Sequence, residues 1–194
     1  MMTINGEKTS ERDLSAATIQ FLGIALKARS AGSIDDNILS YEDPYQYFLS
    51  VLNSEKILGA YDERKLDREA LKKIIYTAIY STENKQETNV NYKLRLMRRT
   101  YKHKDFVSFF PEFFDALASL RSSTNLPLHT IIYKEESDYA HEVLRKGCLE
   151  EKLPILPLHD SFITTVSNFE SMTAIMDKTA LRLYGKLLSH KKKY

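Results

Sequence analysis

The chain has one cysteine, Cys148, no tryptophan, six glycines and five prolines in 194 residues. A single cysteine excludes an intramolecular disulfide and any cysteine-based metal cage, which fits a reducing compartment and leaves the thiol a packing role. No run of about 18 apolar residues is present, so no membrane-spanning helix and no membrane partner are expected. Residues 1–13, MMTINGEKTSERD, lack both an apolar signal core and the Arg-rich, acid-poor composition of a transit peptide. A soluble, non-secreted protein is the expectation. Neither sign of charge dominates: 28 basic residues stand against 26 acidic ones, a net charge of +2. Attraction for nucleic acid would have to come from local clusters. His129, His141 and His190 show no metal-ligand spacing with one another.

What is present suffices for a core, since 43% of the residues are hydrophobic, and a single unit spanning 1–194 is the default at this length. Apolar spacing predicts helices over residues 14–29, 45–52, 67–80, 92–102, 105–121, 135–151 and 168–188. Asp13 stands at the start of the first, and Asp43-Pro44 supplies a cap and a first-turn proline for the second. Pro111 interrupts the fifth. Residues 81–91 are polar and read as a loop. His129 to Tyr133 reads as a short strand. Residues 153–158 and 162–166 read as two strands around a tight turn at His159-Asp160-Ser161, the first an edge or irregular strand because it carries Pro154 and Pro157. Lys191 to Lys193 read as a solubilising tail. No internal repeat or dividing linker is visible.

Three segments in a fixed order carry the chemistry: Asp13-Leu14-Ser15 with Gln20, Arg68 with Lys72 and Tyr80, and Leu158-His159-Asp160-Ser161-Phe162. They resemble motifs A, B and C of the single-subunit RNA polymerases of phages, mitochondria and linear plasmids, relatives of the family A DNA polymerases. Asp13, Ser15 and Gln20 are in register with that family's motif A. Residues 68–80 keep the Arg-x3-Lys-x7-Tyr spacing of its motif B. Residues 158–162 are nearly identical to its motif C. Residues 43–48 and Glu136-Ser137 resemble family segments as well.

The resemblance implies an α+β fold, mostly helical, with a palm-like small antiparallel sheet built on the motif C hairpin and a partial set of fingers helices, the thumb and amino-terminal domain being absent. It implies template-directed nucleotidyl transfer from nucleoside triphosphates, on a DNA template and with an RNA product. Such chemistry depends on positioning and charge neutralisation by two Mg²⁺ ions. Asp13 and Asp160 would hold the metal, and Arg68, Lys72 and His159 would meet the substrate. Tyr80 would lie at the sugar and the templating base. The small size implies a minimal, split or truncated enzyme, with a second chain supplying the missing parts; the single cysteine and the lack of a secretion signal suit the cytoplasm or the mitochondrial matrix.

Thr18 stands five residues after Asp13, where the related DNA polymerases place a glutamate that excludes the ribose 2′-OH, so ribonucleotides are favoured. A plasmid or phage DNA polymerase-like replication protein is the alternative this residue argues against. The other alternative is an inactive polymerase-derived module that binds nucleic acid or protein. The densest basic stretch, with Arg95, Arg98, Arg99, Lys102 and Lys104 between Tyr92, Tyr101 and His103, reads as a phosphate-tracking surface or as a solvated amphipathic helix. Taken singly, Asp13 is a helix cap, Asp160 a turn residue, and Arg68 with Lys72 a solvated helix face. Their joint order and spacing favour a site. Residues 5–12 are polar where the family has a buried apolar strand, so that strand is expected to be missing or remade.

Overall fold

The computed structural model describes residues 2–29, 43–54, 67–80, 110–124 and 126–193. The chain forms two compact units, one of Met1–Ile24 with Tyr133–Tyr194 and one of Ala25–Ile132. The α+β expectation holds: helices predominate and there is one small antiparallel sheet among the described residues. Among the described residues no helix is long and apolar enough to cross a membrane.

The first unit is built on the sheet. Strands β1 (Thr3–Ile4) and β2 (Glu7–Leu14) are joined by Asn5-Gly6, both in the left-handed region (φ 52° and 80°). Two such residues in a two-residue loop are the pattern of a type I′ hairpin, which Asn-Gly favours because its twist matches that of the strands. The helix α1 (Ala17–Ala28) follows. Strands β3 (Leu156–Leu158) and β4 (Ser161–Thr165) form a second hairpin, and β5 (His190–Lys193) closes the set. The order is β1-β2-β4-β3, with β5 also on β2. Glu11, Arg12 and Asp13 thereby have strand neighbours on both sides, from β4 and from β5.

The strand expected to be missing or remade is present, remade from polar residues. Cross-strand charge makes this possible. Glu11 pairs with Lys193 and Asp13 with Lys191 in the antiparallel register, and opposite charges across a ladder are favourable. Arg12, on the other face, donates to the Thr173 hydroxyl at 3.1 and 3.2 Å and lies 4.5 Å from the Phe169 ring centroid. The supposed basic tail is a strand for the same reason.

Helix α1 begins at Ala17, so Asp13 is a strand residue and not its cap. The turn between them puts Ala16 at φ 48°, a conformation costly for a residue with a Cβ.

The second unit holds the next three helices among the described residues. α2 (Pro44–Ser54) is capped as expected: Asp43 Oδ1 accepts from the Tyr45 N–H at 3.0 Å, and Pro44 takes the first position. α3 (Arg68–Tyr80) is capped by Asp67, which accepts from the Ala70 N–H at 2.7 Å. α4 (Pro111–Ser122) starts at Pro111, since a proline lacks only an N–H that the first turn leaves unpaired, and residues 105–109 of the predicted helix lie outside the described residues. Phe48 packs edge-on against Phe110 and Phe113, with Leu71, Ile75 and Leu120 buried in the same unit.

Residues 129–133 are helical, not a strand: α5 runs Leu128–Leu144 and widens into a π-turn at Arg145–Glu150. The start follows Pro127, whose carbonyl accepts from the N–H groups of Thr130 and Ile131. Ile131 and Ile132 are both buried on the helix, a tertiary outcome that overrides β-branched preference. α6 (Phe169–Tyr184) ends at Gly185, whose φ of 69° makes the left-handed cap. Tyr139 centres the first unit's core, its ring near Phe21 and Phe162 and its hydroxyl donating to the Met176 carbonyl at 3.2 Å. The predicted helix over 92–102 and loop over 81–91 lie outside the described residues.

Candidate active site

The first unit brings the two aspartates of interest together. Asp13 is the last but one residue of β2 and only 7% exposed. It pairs with Ser161 of β4, and the next amide, Leu14 N–H, donates to the Asp160 carbonyl at 2.9 Å. Asp160 therefore stands one ladder step from Asp13, at the tip of the β3–β4 hairpin.

That tip is a two-residue turn, His159-Asp160, closed by the Leu158–Ser161 pair. His159 has φ 53°, and a positive φ at the first central residue alone is the pattern of a type II′ turn. Glycine usually occupies that position, so an exposed histidine there carries strain. The Ser161 hydroxyl, donating to the Leu158 carbonyl at 2.9 Å, ties the turn across its base. Glu136 of α5 belongs to the same neighbourhood: its carboxyl is held above the ordinary glutamate range, first by burial and then by the charge of Asp160, with His159 opposing.

Asp13 is in contact with two cations of β5. Lys193 Nζ lies 2.8 Å from Asp13 Oδ1 and 3.3 Å from Glu11 Oε1, and Lys191 Nζ lies 3.9 Å from Asp13 Oδ2. The Lys193 ammonium is held above its usual range, chiefly by its hydrogen bond to Asp13. Gln20 fastens this arrangement. Its amide nitrogen donates to the carbonyls of Ser15 at 2.6 Å and Ser189 at 3.0 Å, while its oxygen accepts from the Ser189 N–H at 2.9 Å. With Ser15 N–H donating to Ser189 O at 2.8 Å, the turn after Asp13 is locked to the residue before β5.

The motif B residues lie on α3 in the second unit. Arg68 ion-pairs with Asp43 through Nε and with Glu69 at 3.1 Å, and its guanidinium lies 5.1 Å from the Tyr45 ring centroid. Asp43 thus caps α2 with one oxygen and holds α3 with the other. Lys72 Nζ is 5.3 Å from the Tyr76 ring, Tyr76 meets Tyr80 at 5.4 Å, and Tyr80 stacks on His129 at 5.9 Å. Lys72, Tyr76 and Tyr80, four residues apart, thus line one side of this helix. Arg95, Arg98, Arg99, Lys102 and Lys104 lie outside the described residues.

Lys191 and Lys193 are the site residues that sequence reasoning missed. Two signals pointed to them: Asn5-Gly6, a hairpin turn that makes residues 7–14 a strand, and the period-two match of Glu11-x-Asp13 to Lys191-x-Lys193. Gln20, matched in register as a motif A residue, has an architectural part here. Among the described residues no group of three or more His, Cys, Asp or Glu is gathered around a point that would suit a metal ion. Asp13 and Asp160 each carry a hard oxygen donor of the type Mg²⁺ takes together with substrate oxygens and water, and their backbones stand one ladder step apart. The Asp13 carboxylate, buried yet in contact with two ammonium groups, sits where positive charge is accepted. No protein-family model matches the chain, and no curated protein matches it.

Proposed function

We propose that the chain is the palm and part of the fingers of an RNA polymerase-type nucleotidyltransferase, a minimal or split form that works with a second chain. The observation that carries this reading is the ladder between β2 and β4, which sets Asp160 one step from Asp13. Two supports accompany it. The left-handed residues Ala16 and His159 flank the two aspartates, and strained backbone gathers at functional turns. Motifs A and C fall in one compact unit and motif B in the other, the division expected of palm and fingers.

In this reading Asp13 and Asp160 hold Mg²⁺, which when bound neutralises charge on the transferring phosphoryl group. The remaining work belongs to the chain's own residues. Lys72 and Arg68 contribute positive charge to a ribonucleoside triphosphate, which would compete with Asp43 and Glu69 for the Arg68 guanidinium. Tyr80 would lie at the sugar and the templating base. Thr18 places no carboxylate against the 2′-OH.

A non-catalytic, polymerase-derived module is the second reading, favoured by the ion pairs that already occupy Asp13 and Arg68. The deciding experiment is Mg²⁺-dependent ribonucleotide incorporation on a primed DNA template, with the chain alone and with candidate partner chains. Asp160→Asn should abolish incorporation while the far-UV spectrum and melting profile stay unchanged. Equal activity in the variant, or none in the wild type under any of these conditions, sinks the catalytic reading.

A further inference from the structure

We infer that Lys193, assisted by Lys191, is a resident counter-ion of the Asp13 carboxylate that a divalent cation must displace, so that strand β5 sets the cation affinity of the site. This rests on the assignment of Asp13 and Asp160 as the cation-binding pair.

Three features of the site lead there. The Lys193 ammonium reaches Asp13 Oδ1 at 2.8 Å, and Lys191 approaches Oδ2 at 3.9 Å, so both carboxylate oxygens face a cation. The carboxylate's side chain is 10% exposed whereas those of Lys191 and Lys193 are 54% and 46% exposed. The acid is thus fixed within the sheet, and each lysine has open solvent into which to swing. Finally, β5 is held to β2 by its backbone ladder and through Ser189 by Gln20. The ammonium groups can leave without the strand leaving. Glu11 offers Lys193 a second acceptor at 3.3 Å, which lowers the cost of letting Asp13 go. A strand whose lysines stand opposite the acids of its neighbour therefore keeps the carboxylate neutralised until a stronger cation arrives.

The test is Mn²⁺ binding, followed by electron paramagnetic resonance of the free ion, so that no turnover is needed. Lys193→Gln should bind Mn²⁺ about tenfold more tightly than wild type, the scale expected when a partly exposed ion pair and its repulsion of an incoming dication are removed together. Lys193→Arg, which keeps the charge, should bind as wild type does. Amide exchange of residues 191–193 checks that β5 stays paired in each variant. If β5 detaches in Lys193→Gln, Lys193→Met with its longer apolar stem is used in its place. Asp13→Asn and Asp160→Asn should each weaken binding, and Lys193→Gln should give no tightening in the Asp13→Asn background. If the aspartate variants weaken binding but Lys193→Gln and wild type are equal, the counter-ion inference fails and the cation pair stands. If neither aspartate variant changes Mn²⁺ affinity, the cation pair itself is wrong.

Discussion

Replacing Gln20 by leucine probes the device that holds the candidate site together. The side chain is 3% exposed and makes three hydrogen bonds, to Ser15 O, to Ser189 O and from Ser189 N–H. Leucine has nearly the same volume and helix propensity, so packing and local preference change little. Three bonds at about 1 kcal/mol each, raised by taking the Gln20 partner from the Ser15 carbonyl and the Ser189 N–H and offset by about 1 kcal/mol of extra apolar burial, give a net loss of about 2–3 kcal/mol. Urea unfolding at pH 7 measures it. Native-state amide exchange should localise the loss to Leu14, Ser15 and Ser189, since these amides sit at the joint between β2, α1 and β5. Gln20→Glu should be worse than leucine at pH 7, because a carboxylate would face two carbonyl oxygens. Those oxygens and burial would raise its pKa above the unfolded value, so stability is lost as pH rises through the folded pKa and returns on acidification. A leucine variant within about 1 kcal/mol of wild type, with unchanged exchange at the three amides, refutes this account.

Glu136→Gln should stabilise the fold at pH 7 in the absence of divalent cations: burial and the Asp160 charge raise the Glu136 pKa, so its ionisation costs stability as pH rises through that value. The gain over wild type should vanish below about pH 4, where the unfolded carboxyl is protonated too, and thermal melts across pH 3.5–8 check it. Gly147 is buried in the π-turn, and a Cβ there would collide with Ile155 Cδ1 while lying 3.4 Å from its Cγ1. Gly147→Ala should cost about 1–3 kcal/mol, and the added Ile155→Val, which removes the colliding methyl, should recover at least half in a double-mutant cycle by urea unfolding.

Much of the helical part of this protein was legible from local signals. Asp43-Pro44 announced α2 because a cap and a fixed φ act within one turn, and the spacing of Leu71, Ile74, Ile75 and Ile79 announced α3. The hairpin at His159-Asp160 and the edge position of Pro157 followed from turn chemistry and from the N–H that proline lacks. Residues 129–133 went the other way. Ile131 and Ile132 resemble a strand locally, yet the helix that starts after Pro127 buries both.

What the sequence by itself determined was the order of the chemistry-bearing residues, the helix starts and the turn that presents Asp160. Those depend on interactions among residues a few positions apart. Only the tertiary structure decided that Glu7–Leu14 is a strand in mid-sheet, that Asp13 is a strand carboxylate and not a helix cap, and that Lys191 and Lys193 neutralise it. A polar strand has no hydrophobic pattern to betray it. Its stability comes from charges, hydrogen bonds and a ladder contributed by residues as far as 182 positions away in the chain, and such partners exist only once the fold has brought them together.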